Sequence, residues 1–322
     1  MSKTKTKLLV CWLVAVTIAT SPAAADKIVI GDPGWPGAKI IAHVIKTVVT
    51  DKLGGEAELV PAKNPAIYAG MDAGKGSIDV HPDVWLPNQK SFTDEFVDKK
   101  KTVALSEGYY EGRTGFCVPT AAAKKHGIRS VYDLATPEAQ KAFDGDGDGS
   151  GEIWVGASGW ASAKINQVKV RDYGIGDFLT PTTEDEAVFY AKMATAVKSG
   201  EGVAFYCYSP HYVHKLHDVT MIDEPQYDAS KYVMVQPNED PDWFAKSKIT
   251  TGDQIKTVRV AYSRSLETRA PEIARFLRNI NLSADAVSAM THALSVEKHE
   301  PATVAAEWVA NNSDAVDSWL GL

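Results

Sequence analysis

Short β-branched runs alternate with segments of helical period along most of this chain, and that alternation limits the fold more than any other feature. Residues 27–30 form a first β-like run, and 38–49 carry Ile40, Ile41, Val44, Ile45 and Val48 at helical spacing. The next strand is predicted at 57–60, a helix at 65–73, and a strand at 78–80 that ends in a loop bearing Trp85. Further strand-like runs fall at 102–106, 115–118, 153–156, 203–208 and 257–262. Helices are predicted at 131–134, 137–143, 161–173, 184–199, 271–279, 284–294 and 301–311. Strands alternating with helices of this length argue an α/β protein with mainly parallel sheets. A chain of 322 residues usually divides into two lobes. No low-complexity linker separates them, so the chain is expected to cross between lobes on strands.

The N-terminus sets the compartment. Lys3, Lys5 and Lys7 form a basic start, and 8–20 is an apolar run too short to span a bilayer comfortably. Ala23, Ala24 and Ala25 offer the small residues a signal peptidase reads, so residues 1–25 are expected to be cleaved after Ala25 and the protein exported to the periplasm. Cys11 lies inside the apolar run, which argues against a lipid-anchored cysteine. Loss of the three lysines takes the net charge from −7 to −10. Such acidity excludes a nucleic-acid partner that wants a basic face. The two remaining cysteines, Cys117 and Cys207, lie in strand-like runs; a bridge and a pair of buried thiols both stay open.

Asp144-Gly145-Asp146-Gly147-Asp148-Gly149-Ser150-Gly151-Glu152 is the most regular motif in the chain. Against a calcium loop, Asp144, Asp146 and Asp148 take positions 1, 3 and 5, Gly149 the sharp turn, Ser150 the carbonyl position and Glu152 position 9. Three carboxylates crowded on a glycine-rich loop repel one another without a cation, so a structural Ca²⁺ is expected here. The loop departs from the EF-hand at position 12, where Val155 replaces the bidentate glutamate.

Four large aromatics sit beside glycine and proline instead of in apolar runs. Trp35 lies between Asp32-Pro33-Gly34 and Pro36-Gly37, Trp85 before Leu86-Pro87, Trp160 after Gly159, and Tyr208 before Ser209-Pro210. Gly and Pro mark element ends, so each ring is expected on a loop at the end of a strand, where open α/β sheets bind ligands. Trp154, Trp308 and Trp319 read as packing residues, and Trp243 as a surface staple or a contact between lobes. Several rings converging from distant segments suit a methylated ammonium held by cation–π attraction.

Along essentially the whole mature chain, the sequence resembles the periplasmic substrate-binding proteins of ABC importers for glycine betaine, choline and related trimethylammonium compounds. The likeness is carried by Gly34-Trp35, by Ile78-Asp79-Val80 with Trp85-Leu86-Pro87, by Phe143-Asp144 through Gly159-Trp160 to Ile165-Asn166, and by Phe205-Tyr206-Cys207-Tyr208-Ser209-Pro210. It implies a two-lobed periplasmic binding protein fold of type II, each lobe a mainly parallel sheet flanked by helices, joined by a hinge of crossing strands. One lobe would comprise 26–112 and 219–322, the other 113–218. The matching positions make Trp35, Trp85, Trp160 and Tyr208 the aromatic box, with Asp32, Glu111, Tyr109 and His211 as secondary contacts. Many relatives have Trp where Tyr208 stands. Some carry a cysteine pair flanking the Trp160 loop, near the places of Ala157 and Ser162 here.

The resemblance implies a monomer that closes over its ligand and docks on an inner-membrane ABC permease. Trimethylamine N-oxide is the first expectation, because the box shows no evident basic partner; glycine betaine and choline are the alternatives. Arg113 near the lobe crossing reads as a surface residue. An exported enzyme is the opposing class. His81, His211, His214 and Ser209 are scattered near prolines, and no nucleophile elbow, H-E-x-x-H or phosphate loop accompanies them. A receptor for a sensor kinase would use the same pocket.

Overall fold

The computed structural model describes residues 27–322, so the expected signal sequence and its cleavage after Ala25 lie outside the described residues. Twelve strands are described: β1 (Ile28–Asp32), β2 (Ala57–Pro61), β3 (Val80–Leu86), β4 (Val103–Leu105), β5 (Tyr110–Pro119), β6 (Gly151–Trp154), β7 (Leu179–Thr182), β8 (Ala204–Ser209), β9 (Val219–Met221), β10 (Tyr232–Val233), β11 (Lys248–Ile249) and β12 (Lys256–Ser263). The main path runs β2-β1-β3-β12-β5-β8-β6-β7, with β4 on β12 and β9 on β5.

The parallel pairs expected from the alternation occur at the two ends of that path. β1 pairs parallel with β2 and β3, and β6 pairs parallel with β7 and β8. The middle is antiparallel: β12 runs against β3 and β5, and β5 against β8. One strand links the halves. The start of β5 pairs with β12 through Tyr110, Glu111 and Gly112, and its remainder pairs with β8 and β9.

Helix α1 (Pro36–Thr47) shows why the periodic segments fold as they do. Pro36 presets the first helical turn, and Ile40, Ile41, Val44 and Ile45 form one face buried to 2% exposure or less. Each such aliphatic side chain contributes about 1.5–3 kcal/mol on leaving water. That face packs on β3 and on the helices Ala284–Ser295 and Pro301–Asn311. Helix α2 (Asn64–Ala73) ends at Gly74, whose φ of +65° is the left-handed stop that glycine adopts without strain. In the second half, Phe189 of the helix Glu186–Ser199 packs against Trp154 of β6 and Phe205 of β8, and the helix Ala161–Asp172 packs on β11.

Trp154, Trp308 and Trp319 pack as predicted: Trp154 stacks on Phe189 at 4.3 Å, and Trp308 on Trp319 at 5.6 Å. Trp243 joins Tyr232 and Met234 against Ile165 and Val168, on the underside of the helix Ala161–Asp172. Cys117 and Cys207 form a disulfide joining β5 to β8.

A buried ionic cluster lies where the chain returns to β12. Lys169 donates to Glu224 at 2.8 Å and to Asp253 at 2.9 Å, and Lys256 lies 2.9 Å from the other oxygen of Asp253. Thr114, Tyr173 and Tyr232 donate to the same two carboxylates. Burial pushes Asp253 upward, but the two lysines outweigh it and hold the carboxyl well below its ordinary range.

Candidate ligand-binding site

Trp35, Trp85, Trp160 and Tyr208 line one cavity. Their placement differs from the loop positions expected of them. Trp35 and Trp160 are the N-cap residues of α1 and of the helix Ala161–Asp172. Trp85 lies inside β3, paired with Val258, and Tyr208 lies inside β8, paired with Thr114. Each is therefore fixed by a hydrogen-bonded element, which holds a ring more rigidly than a loop does. The rings meet edge to face: Trp35 and Trp160 at 5.6 Å, Trp85 and Tyr208 at 5.4 Å, Trp160 and Tyr208 at 6.2 Å. Gly112 makes room for this. A Cβ there would come within 2.4 Å of the Trp85 ring, so only glycine lets β5 pass under the indole.

Five further residues complete most of the lining. Tyr206 shares the face of β8 with Tyr208, two residues away, and the rings stack at 6.0 Å. Asn64 opens α2, Asn88 and Gln89 follow β3, and Ser162 lies in the first turn of the helix after Trp160. Sequence reasoning did not find these. The side-chain oxygens Oδ1 of Asn88 and Oε1 of Gln89 are buried without a hydrogen-bond partner. No lysine, arginine or histidine is among the lining residues.

Asp83, also missed, organises the box from behind. Its Oδ2 accepts the indole N–H of Trp35 and, at 3.0 Å, that of Trp85, while Oδ1 accepts the hydroxyl of Tyr110. The residue is fully buried. Burial pushes its carboxyl upward, and the three donors oppose that shift without abolishing it. Its position follows from a bulge: His81 pairs with Ala261 and Val84 with Arg259, so Pro82 and Asp83 together face the single residue Val260. A bulge tolerates the missing N–H of Pro82 and re-aims the next side chain. Burial also drives His81 down to about 3, so its ring is neutral, with Nε2 3.0 Å from Asn64 Oδ1 and Nδ1 accepting the Asp83 N–H.

Tyr208 is backed by a second carboxylate. Its hydroxyl donates to Glu186 Oε1 at 2.8 Å, and His211 Nε2 lies 3.1 Å from the same oxygen. His211 thus stands behind the box, with its ring 4.7 Å from that of Tyr208. None of the four secondary candidates lines the cavity. Asp32 accepts the Gly34 N–H, Glu111 is exposed, and Tyr109 lies on the surface under the guanidinium of Arg259. Arg113 is exposed, as expected.

The acidic loop gathers as its spacing suggested. Carboxylate oxygens of Asp144, Asp146, Asp148 and Glu152 lie within 4.8 Å of one another. Asp144 accepts the N–H groups of Gly147 and Gly149, Asp146 that of Asp148, and Asp148 that of Ser150. Glu152 is pushed upward by burial and by the three aspartates.

Residues 26–311 match the family model for the substrate-binding domain of ABC-type glycine betaine transport systems. The glycine betaine-binding periplasmic protein OusX of Dickeya dadantii is 25% identical over 99 residues, 31% of this chain and 30% of that protein. The glycine betaine/proline betaine-binding periplasmic protein of Salmonella typhimurium is 19% identical over 213 residues, 64% of this chain and 63% of that protein. Both matches therefore span less than two thirds of the relative's own length. Among solved structures, an ABC-transporter choline-binding protein in complex with choline aligns with a TM-score of 0.72 at 17% identity, covering 94% of this chain and 93% of that one. That likeness establishes the α/β periplasmic binding protein fold. Proteins of this family serve transport and are not enzymes. With the match extending over nearly the whole described chain, this protein belongs to the family of substrate-binding domains of ABC-type glycine betaine transport systems.

Proposed function

We propose that the protein is an extracytoplasmic receptor that holds a small trimethylammonium osmolyte, first of all glycine betaine, between Trp35, Trp85, Trp160 and Tyr208 and delivers it to an ABC permease. The observation that carries this reading is the cavity itself: four rings, two buried carboxylates behind them and no basic side chain in the lining. A trimethylammonium group has no N–H to donate, so a carboxylate in direct contact recognises it poorly. Aromatic faces match both its charge and its methyl groups, each contributing about 0.5–2 kcal/mol.

The anionic end of a betaine needs donors. The helix Ala161–Asp172 supports one source, because Ala161 and Ser162 line the cavity and its first turn has neither a side-chain cap nor an acidic residue. Asn88 and Gln89 line the same cavity and would donate only through their side-chain NH2 groups, since their buried, unpartnered oxygens can only accept. Trimethylamine N-oxide is the second reading, favoured by the lack of a basic side chain for a full carboxylate.

The two halves would move as lobes about β5, the strand that pairs with β12 at its start and with β8 and β9 beyond. Export follows from the basic and apolar start of the chain, and the family match begins at residue 26, just past the expected cleavage point. The acidic loop is read as a structural Ca²⁺ site held by Asp144, Asp146, Asp148, Glu152 and the Ser150 carbonyl. Its gathered oxygen donors fit a hard cation.

Calorimetric titration with glycine betaine, choline and trimethylamine N-oxide tests the reading. Tightest binding of glycine betaine supports it, tightest binding of trimethylamine N-oxide moves the assignment to the second ligand, and no heat from any of the three rejects it.

A further inference from the structure

Asp83 is a buried carboxyl group with an unusual set of partners. Its carboxylate accepts from two indoles and a phenol, all neutral, and among the described residues no lysine, arginine or histidine forms an ion pair with it. The neighbouring His81 offers no charge, since its ring nitrogens are committed to Asn64 and to the Asp83 N–H. The first turn of α1 supplies part of the compensation: a Cβ on Gly37 would come within 3.3 Å of Asp83 Oδ2, so a positive helix end abuts the carboxylate. The other buried carboxylate of the site differs, because Glu186 has His211 within ion-pair distance.

Two of the rings that line the cavity donate their N–H groups to this one oxygen. A hydrogen bond from an indole N–H to a carboxylate pushes electron density into the ring and makes its faces more attractive to a cation. The negative charge itself also lies just behind the box, in a dry region where it is poorly screened.

Resting on the reading of the cavity as a trimethylammonium site, we propose that Asp83 is its charge-selecting residue: the ligand's ammonium is the missing counter-charge of this carboxylate, felt through Trp35 and Trp85. Asp83 then touches no ligand atom and acts through the rings. The ligand-free protein carries a buried charge that costs stability, and binding relieves it.

The test compares glycine betaine with 3,3-dimethylbutanoate, which has the same shape and carboxylate but carbon in place of the ammonium nitrogen. The unmodified protein should prefer glycine betaine by about 100-fold or more. In Asp83→Asn the preference should shrink about ten-fold or more, while the melting temperature without ligand stays level or rises. A residue that only props up the rings would weaken both ligands equally and lower the melting temperature; that result overturns the proposal. If Asp83→Asn does not fold, Trp85→Phe keeps a ring and cuts one N–H link, and should lose several-fold in preference; an unchanged preference overturns the proposal as well. Failure of the unmodified protein to bind glycine betaine would reject the ligand assignment and this inference together. Binding with a preference that survives Asp83→Asn rejects the inference alone.

Discussion

Trp35 and Trp85 come from different elements, yet their indole N–H groups meet on a single oxygen, Oδ2 of Asp83. That shared acceptor fixes the angle between two walls of the cavity. It also ties a helix cap and a mid-strand residue into the lining of one cavity.

His81 gives the fold an acid sensitivity. Its folded value of about 3 lies below the ordinary 6.5, so its contribution to stability is complete above pH 6.5 and is lost as pH falls toward 3. One proton taken up on unfolding amounts to about 1.4 kcal/mol per pH unit. Asp83, raised by burial, acts with the opposite sign, so the histidine is isolated by comparison with a variant. Chemical denaturation of His81→Gln between pH 6 and 4 should show a stability profile flatter by about one proton. Parallel profiles would show that His81 ionises freely in the fold.

Lys169, Glu224, Asp253 and Lys256 should behave as one unit. Lys169→Met leaves two buried carboxylates short of a cation and should cost about 3–5 kcal/mol in denaturant unfolding. Replacing Lys169 and Glu224 together, by Met and Gln, should cost much less than the sum of the single changes. Additive losses would mean the groups do not share a network.

Chelation probes the acidic loop. EDTA should lower the melting temperature, and Ca²⁺ should restore it in the unmodified protein but not in Asp146→Asn/Asp148→Asn. Magnesium should restore less, because a flexible loop of carboxylates does not impose tight octahedral geometry. A melting temperature indifferent to EDTA and Ca²⁺ would leave the loop a solvated acidic turn.

Much of the scaffold was legible in the sequence because it rests on local periodicity. The helices at 271–279 and 301–311 fall within their predicted bounds, and α1 and α2 within two residues of theirs. The four rings were legible from their Gly and Pro neighbours. Their settings were not: Pro82 and Pro87 made the Trp85 region read as loop, whereas a bulge absorbs Pro82 and β3 runs on to Leu86. Asp83 escaped notice for the same reason, since an aspartate beside proline looks like a turn residue. An aspartate two residues from a tryptophan inside a mostly apolar run was the available clue. Tyr206, Asn88 and Gln89 gave none, because only the meeting of distant segments assigns them to the cavity. The antiparallel centre of the sheet was hidden too, as strand order depends on pairings between residues far apart in the chain.

The most direct test of the central claim is a calorimetric titration of glycine betaine into the unmodified protein and into Trp160→Ala. Trp160 closes the cavity against both Trp35 and Tyr208. The account predicts saturable one-site binding to the unmodified protein, weakened in the variant by about 0.5–2 kcal/mol or more, with the variant still folded by circular dichroism. Equal affinity in the two proteins, or no saturable binding to the unmodified one, would contradict it.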